Sequence, residues 1–274
     1  MSRVSVTYDN QIAHVRLTRA DKMNAVDQDM IDAVIAAGNE VAASNARAVV
    51  ISGEGKAFCA GIDIGGMGAL AGGDPTERMM TRTHGDGTTN QWQEVAMVWT
   101  RLGVPVIAAL HGKTYGAGLQ LALGADIRIA APDTEMAVME MKWGIVPDMG
   151  GMVLLPKLVR GDVLRLLTYT AQPIGAEQAE RWGLVTQIAE DSLAAAMLRS
   201  ALISAAAMAL ATTIAGKSPS AIKAAKRLTA FAEVGDADAV LLAESREQAA
   251  LLGRPHQMEV IAAEFGKRPA VFKD

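Results

Sequence analysis

Two glycine-rich segments contain the residue pattern that most directly suggests chemistry. Residues 58–63 read Phe-Cys-Ala-Gly-Ile-Asp, and residues 112–119 read Gly-Lys-Thr-Tyr-Gly-Ala-Gly-Leu. Glycine permits close approach of the backbone, and N–H groups at tight turns or helix starts are held in place by the fold itself. Either segment alone reads as an ordinary turn. Because both follow apolar β-like runs, together they predict that the N–H groups of Ile62 and Ala117 point at one atom, as in an oxyanion hole.

Two acidic side chains are candidates for proton transfer. Glu140 stands between Met139 and Met141, and an acid in an apolar setting has a raised pKa that suits proton transfer. The alternative is a solvated glutamate at the end of a strand. Asp148 follows further along the chain, where it could be a second acid or the N-cap of a helix that opens at residues 149–152.

The composition argues against several other functions. The 274 residues have a net charge of −4 and only 4% aromatic side chains, so neither phosphate tracking nor base stacking on a nucleic acid is expected. Cys59 is the single cysteine, and the four histidines are scattered without ligand spacing, so we expect neither a disulfide nor a metal site. The first residues lack an apolar signal region, so we expect a cytoplasmic protein.

The high apolar content indicates extensive burial. Half of the residues are hydrophobic, which predicts a sheet covered on both faces or large surfaces buried between subunits, and we favour a homo-oligomer. Residues 200–216 carry no charge, but they are rich in Ala, Ser and Thr and short for a membrane span. We therefore expect a buried or interfacial helix there and no membrane partner.

Two apparent nucleotide-binding motifs fail on context. Residues 66–71 fit G-x-G-x-x-A, but they lie in an irregular segment without a preceding strand and a following helix. Gly112 and the next two residues resemble the end of a phosphate-binding loop, but Ile107 occupies the position at which that loop requires glycine. Neither motif predicts a nucleotide site.

Apolar periodicity predicts an α/β core followed by helices. The expected strands are residues 3–8 and 12–18, which form a hairpin, and 46–52, 105–110, 126–130, 135–139 and 185–188. The expected helices are residues 27–43, with Asp27 as N-cap, and 119–123, 176–182, 192–215, 220–232, 237–252 and 256–265. Residues 65–91 show little periodicity, and we expect a mobile loop with a helical piece close to the substrate.

Five segments, in order along the chain, resemble the crotonase superfamily of enoyl-CoA hydratases and isomerases: residues 23–25, 55–63, 112–131, 143–151 and 217–219. The resemblance implies an α/β fold, a crotonase-like spiral of repeated ββα units over residues 1–200. It also implies a C-terminal helical trimerisation region over residues 201–274 and a homo-oligomer, either a trimer or a dimer of trimers. The implied substrate is an acyl-CoA thioester, with no cofactor beyond the coenzyme A that the substrate carries.

The same resemblance assigns roles to individual residues. It implies that the N–H groups of Ile62 and Ala117 hold the thioester oxygen and that Lys22 lies near the phosphates of coenzyme A. It also implies adenine and pantetheine contacts at three positions, Ala60, Asp63 and Ile64. Phe265 and Lys267 resemble tail residues that reach the coenzyme A of a neighbouring subunit, although the tail spacing differs by one residue.

One position departs from the family pattern. Family hydratases hold the attacking water between two glutamates, and here the first is replaced by Gln120 while Glu140 is retained. Glutamine cannot accept a proton, although its amide could hold water or substrate. The spacing of Glu140 and Asp148 resembles the acidic pair of dienoyl-CoA isomerases, whose third acid would occupy position 120.

These residues slightly favour isomerisation of a double bond over its hydration, with Glu140 as principal base and acid and Asp148 assisting. Three alternatives remain at this point. One is a hydratase that uses Glu140 with water held by Gln120, and another is a non-catalytic acyl-CoA-binding subunit. The third is a thioester hydrolase or dehalogenase with Asp148 as nucleophile.

Overall fold

The computed structural model describes residues 2–66, 75–189 and 199–273. These ranges contain nine strands: β1 (Val4–Asp9), β2 (Ile12–Leu17), β3 (Ala48–Gly53), β4 (Val106–Leu110), β5 (Lys113–Tyr115), β6 (Ile127–Ala130), β7 (Glu135–Ala137), β8 (Ile174–Gly175) and β9 (Gln187–Ile188). They also contain eleven α-helices: α1 (Gln28–Ala42), α2 (Pro75–Met80), α3 (Gln91–Thr100), α4 (Ala117–Leu123), α5 (Gly151–Leu154), α6 (Gly161–Thr170), α7 (Ala176–Arg181), α8 (Arg199–Ala215), α9 (Pro219–Ala232), α10 (Ala237–Leu251) and α11 (Pro255–Phe265).

The strands form two sheets that meet at the second glycine-rich segment. The larger sheet has the order β1-β2-β3-β4-β6-β9, parallel except for the β1–β2 hairpin, and the smaller has the order β5-β7-β8. The chain leaves β4 and enters β5 through Gly112, whose φ of +52° is accessible to glycine at little cost. The candidate residues Ala117 and Gln120, which follow β5 along the chain, therefore lie where the two sheets meet.

Both faces of the larger sheet are covered, which explains the high apolar content. On one face, α8 presents four buried residues at intervals of four, Ile203, Ala207, Ala211 and Ala215, to the buried strand residues Ile12, Val50, Ile107 and Ile129. Intervening strand residues such as Val49 and Ile51 belong to a second core that contains α1 and α3. The predicted buried or interfacial helix over residues 200–216 is therefore present as α8, with one side buried against the sheet.

In the described ranges, no single helix is long and apolar enough to cross a membrane. The pair Ser200–Ala215 and Pro219–Ala232 meets the length and composition criteria only when taken together, and the two helices are bent by 108°.

The structure confirms most predicted elements and adds some. The hairpin and α1 are confirmed, and the Asp27 carboxylate caps α1 by accepting a hydrogen bond of 2.9 Å from Met30 N. Three elements were not predicted: the helix α3, although Asn90 and Gln93 form a capping box at its start, and the short strands β5 and β8. Residues 67–74 and 190–198, on which parts of the loop and helix predictions fall, lie outside the described residues. The boundary at residue 200 stays a prediction.

Replacing Ile107 with alanine tests the contact between α8 and the sheet. Ile107 is completely buried there, so Ile107→Ala should lower the free energy of unfolding by about 2–5 kcal/mol. Ile145, whose side chain is 48% exposed, supplies the matched control, because Ile145→Ala removes the same atoms from a largely hydrated site. Urea unfolding at fixed protein concentration measures both, and equal losses would contradict the packing described.

Candidate active site

The two glycine-rich segments are joined backbone to backbone. Phe58 N donates to His111 O at 2.8 Å, Cys59 N to Lys113 O at 3.1 Å, and Tyr115 N to Cys59 O at 3.0 Å. At Gly118 there is no room for a side chain, because a Cβ there would lie 2.3 Å from the backbone oxygen of Cys59. The segments therefore form one rigid unit.

The N–H groups of Ile62 and Ala117 lie free on this unit. On either side of Ile62, the chain is engaged with Val26: Val26 N donates to Gly61 O, and Asp63 N donates to Val26 O, both at 2.8 Å. Ile62 N itself has no hydrogen-bond acceptor among the described residues. Ala117 is the first residue of α4, where a helix leaves its N–H groups without intrahelical partners, and it likewise has no acceptor there. Both residues line the same cavity.

A buried asparagine supports the first segment from behind. The Asn24 side chain is fully buried, and its Nδ2 donates to three backbone oxygens, those of Glu54 and Ala57 at 2.9 Å and that of Phe58 at 3.1 Å. Its Oδ1 accepts from Arg19 N at 2.9 Å. Asn24 lies in the segment 23–25 that resembles the crotonase superfamily, but its supporting role was not predicted.

An ion pair holds the other end of the segment. Arg19 contacts the Asp63 carboxylate at 2.7 Å and the Asp27 carboxylate at 3.3 Å. The hydrogen bond from Arg19 holds the pKa of Asp63 below its ordinary value. The side chain of Asp63, a predicted coenzyme A contact, is thus already paired with Arg19. This ion pair was not predicted from the sequence.

The cavity has a volume of about 470 Å³ and brings most of the predicted site residues together. The predicted residues along its wall are Lys22, Ala60, Ile62, Asp63, Ile64, Ala117, Glu140 and Asp148. The structure does not bring two others to it: Phe265, which is 86% exposed at the end of α11, and Lys267 just beyond. Gln120 is also absent from the wall, since it is buried behind Glu140.

Glu140 is a buried acid in which one carboxylate oxygen is hydrogen-bonded and the other has no partner among the described residues. Glu140 is the first residue of a short 3-10 helix (Glu140–Trp143). Only 6% of the residue is exposed, so the alternative of a solvated glutamate at a strand end is wrong. Oε1 accepts a hydrogen bond of 2.7 Å from Gln120 Nε2, while Oε2 is buried and has no partner among the described residues. Burial, reinforced by the negative charge of Asp148, raises the pKa of Glu140. A carboxyl with a raised pKa is better suited to proton exchange than one with an ordinary pKa.

Asp148 is a half-buried acid on the cavity wall rather than a helix cap. The helix that follows, α5, starts after Gly150, and no side chain caps it, so the N-cap alternative for Asp148 is wrong. Gly150 adopts a φ of +89°, which sets the helix start two residues later than an Asp148 cap requires. Burial raises the pKa of the Asp148 carboxyl. The structure therefore places two acids with raised pKa values on one cavity.

Three lysines and two aromatic rings occupy the outer part of the cavity. Lys22, Lys113 and Lys142 are exposed at their places on its wall. Lys113 Nζ lies 5.7 Å from the ring centre of Tyr115, and Lys142 Nζ lies 5.6 Å from that of Trp143. Among the described residues there is no group of three or more His, Cys, Asp or Glu side chains that could hold a metal ion.

The tight contact at Gly118 gives a test of the rigid unit. In a helix, Gly→Ala gains up to about 1 kcal/mol of helix propensity, but overpacking against a fixed backbone oxygen costs about 1–3 kcal/mol. Because the oxygen of Cys59 lies 2.3 Å from the new Cβ, the clash should dominate and Gly118→Ala should lower the melting temperature. Gly103→Ala is the matched control, since a Cβ there meets nothing within 4 Å. A Gly118→Ala protein as stable as the control would contradict this packing.

Comparison with known proteins agrees with this geometry. The sequence model of the enoyl-CoA hydratase/isomerase family matches residues 7–273. A protein of Mycobacterium tuberculosis H37Rv named "Probable enoyl-CoA hydratase EchA14" is 35% identical over 195 residues, which cover 71% of this chain and 72% of that protein. The human mitochondrial Delta(3,5)-Delta(2,4)-dienoyl-CoA isomerase is 34% identical over 220 residues, which cover 78% of this chain and 64% of the human protein.

The fold comparison gives the same result. The crystal structure of the enoyl-CoA hydratase from Bacillus anthracis superposes with a TM-score of 0.84 at 25% identity and covers 99% of both chains. The predicted crotonase-like α/β fold is therefore confirmed. Since the family model covers nearly the whole chain, the protein belongs to the enoyl-CoA hydratase/isomerase family and is an enzyme of that type, a family that acts on acyl-CoA thioesters.

Proposed function

We propose that this enzyme isomerises a carbon–carbon double bond in an unsaturated acyl-CoA thioester. The observation that carries the proposal is the set of groups around the cavity: two N–H groups that have no acceptor in the described ranges and two acids, Glu140 and Asp148, with an amide at position 120. Isomerisation needs only the removal of a proton from one carbon and its return to another. No water and no further cofactor takes part in such a reaction.

The two N–H groups would activate the substrate. A thioester oxygen between Ile62 N and Ala117 N would accept both hydrogen bonds, and each donor of this kind contributes about 3–4 kcal/mol to an oxyanion. Polarising the carbonyl makes the α-carbon acidic and gives an enolate when a proton leaves. Because both donors belong to backbone held by other hydrogen bonds, they need no reorganisation when charge develops.

The two acids would then move the proton. Glu140 Oε2 is the oxygen that has no partner among the described residues, so it is the atom that we assign to proton abstraction. As the C–H bond breaks, its electron pair enters the enolate, and a new C–H bond forms at the far end of the conjugated system. Either Glu140 returns the proton that it removed, or protonated Asp148, on the same cavity wall, donates its own and regains one from Glu140 before the next turnover.

The amide at position 120 is the reason for preferring isomerisation to hydration. Its Oε1 already accepts from Met149 N and Gly151 N, both at 2.9 Å, and its Nε2 donates to Glu140. An amide in this state cannot deprotonate a water molecule. The named dienoyl-CoA isomerase relatives are consistent with this choice, while the named hydratase relatives make hydration through Glu140 alone the second candidate.

The lysines suit the anionic part of the substrate. Lys22, Lys113 and Lys142 lie on the outer wall, where they can attract the phosphates of coenzyme A. Ala60 and Ile64 remain the proposed contacts of adenine and pantetheine, and Asp63 would contribute through its backbone because Arg19 holds its carboxylate.

A homo-oligomer, a trimer or a dimer of trimers, would complete the site. Phe265 and Lys267 lie away from the cavity of their own chain, so any contact with coenzyme A would be to that of a neighbouring subunit. The C-terminal helices carry several exposed apolar residues that assembly would bury: Leu241, Leu242, Leu252, Met258 and Phe265.

Substitution of the two acids tests the assignment. Glu140→Gln should lower turnover of a dienoyl-CoA by about 100- to 10,000-fold, because general acid–base catalysis contributes that much. Asp148→Asn should lower dienoyl-CoA turnover more than any turnover of a simple enoyl-CoA. Product mass separates the reactions, since hydration adds one water and isomerisation adds nothing.

Glu177→Gln, at an exposed position on α7 outside the cavity, is the matched control and should leave turnover unchanged. Full turnover by Glu140→Gln would overturn the assignment. Binding of enoyl- and dienoyl-CoA by calorimetry, without turnover by the wild type, would instead establish a non-catalytic acyl-CoA binder.

The raised pKa of Glu140 also predicts how stability depends on pH. Since folding raises this pKa above its ordinary value of 4.5, the carboxyl favours the folded state when protonated, and that advantage is lost as pH rises through the folded-state pKa. Glu140→Gln removes the buried charge. The variant should therefore be more stable than wild type at about pH 8, and the gap should narrow on acidification. Urea unfolding across this range measures the gap, and a gap independent of pH would refute the explanation.

A further inference from the structure

The Gln120 side chain contacts three separate parts of the site at once. Nε2 donates to Glu140 Oε1 at 2.7 Å, and Oε1 accepts from Met149 N and from Gly151 N, both at 2.9 Å. Only 3% of the residue is exposed, and it does not line the cavity. These contacts are therefore made behind the reacting groups.

The backbone around residue 150 is shaped to receive this amide. Gly150, with a φ of +89°, turns the chain so that the N–H groups before and after it reach the same oxygen. A Cβ at Gly151 would lie 2.7 Å from Gln120 Oε1, so a side chain there would displace the amide. On the other side, Gln120 lies about one turn of α4 after Ala117, a residue that lines the cavity. One side chain thus connects α4, Glu140 and the turn that follows Asp148.

We infer that Gln120 is a positioning residue, which sets the orientation of Glu140 and its spacing from Asp148 without touching the substrate. Because Oε1 of Glu140 accepts the hydrogen bond from Gln120, Oε2 of Glu140 is the oxygen that can exchange a proton. The two backbone bonds keep the Asp148 turn in place beside it. The inference deepens the proposed function, because it takes Glu140 as the acid–base group.

The chemistry of position 120 requires one donor and two acceptor sites on the same side chain. An amide meets this requirement at any pH. A carboxylate would accept both N–H groups but would repel Glu140, whereas a protonated carboxyl could donate to Glu140 and accept from the backbone. Methionine has a similar length and could do neither. Comparing glutamine, glutamate and methionine at position 120 therefore distinguishes a role in orienting Glu140 from a role in only filling the space.

The acidic limb of the pH–rate profile distinguishes the two roles, because it would not shift if Gln120 only filled space in the structure. Losing the Gln120 hydrogen bond removes an influence that lowers the pKa of Glu140. The other titratable groups on the cavity wall keep their identity in the variants at position 120: Asp21, Lys22, Asp63, Lys113, Tyr115, Lys142 and Asp148. On α6, which packs against Glu140–Trp143, the titratable residues Asp162, Arg165 and Tyr169 are exposed.

The experiment uses the full chain with Gln120→Met and Gln120→Glu, assayed on the acyl-CoA that the wild type converts. Gln120→Met should lower kcat by about 100-fold, the cost of a misplacement of roughly 1 Å, with KM nearly unchanged and the acidic limb moved to higher pH. Gln120→Glu should be poor at neutral pH and recover relative to Gln120→Met as the pH falls. Gln172→Met, at an exposed position away from the cavity, is the control and should match wild type.

A second measurement keeps the inference independent of turnover. The side-chain carboxyl of Glu140 can be titrated by ¹³C NMR in the substrate-free protein, with Glu140→Gln used for its assignment. A higher pKa in Gln120→Met and Gln120→Glu supports the inference even if the wild type proves to be a hydratase or a binder. Unchanged kcat and an unchanged Glu140 pKa in folded Gln120→Met would overturn it.

Discussion

The site depends on the direct contact between two stretches of backbone. Residues 58–63 follow β3, and residues 112–119 follow β4, which pairs with β3 in the larger sheet. Backbone hydrogen bonds then join the two segments, and Gly118 allows an approach that any side chain would prevent. The separation of the two free N–H groups is thereby set by the same interactions that hold the sheets together. A change in sheet packing would be transmitted directly to the site.

A second constraint is the tension between burial and charge at Glu140. The carboxyl lies in an apolar wall with one oxygen unpartnered, an arrangement that costs stability when the group is ionised. The surroundings limit this cost with a neutral amide rather than a cation: in the described part of the chain, Gln120 is the side chain that hydrogen-bonds Glu140. An arginine in that place would stabilise the carboxylate and lower its pKa, which would weaken it as a base.

Much of this arrangement could be predicted from sequence, and what was missed has identifiable causes. The strands, the C-terminal helices and the positions of Ile62, Ala117, Glu140 and Asp148 follow from local pattern and from motifs that resemble a family. The roles of Asn24 and Arg19 could not be predicted, because their partners are brought near by the fold and are in part backbone oxygens, which leave no mark in the sequence. The helix α3 was missed although its capping box was visible. The three-way bonding of Gln120 was hidden for the same reason as that of Asn24, because two of its three partners are main-chain N–H groups.

The free donors at Ile62 and Ala117 are main-chain atoms, and this has a consequence for how the site would vary among relatives. Every amino acid except proline supplies the same N–H group, so selection on these two donors does not by itself fix the side chains at positions 62 and 117. Both residues line the cavity and also pack against the core, so we expect their side chains to vary within the limits that this packing sets. Purifying selection on the donors would then be recorded one residue away, at Gly61, Gly116 and Gly118. We therefore expect relatives to vary more at positions 62 and 117, the proposed oxygen-binding donors, than at the glycines beside them.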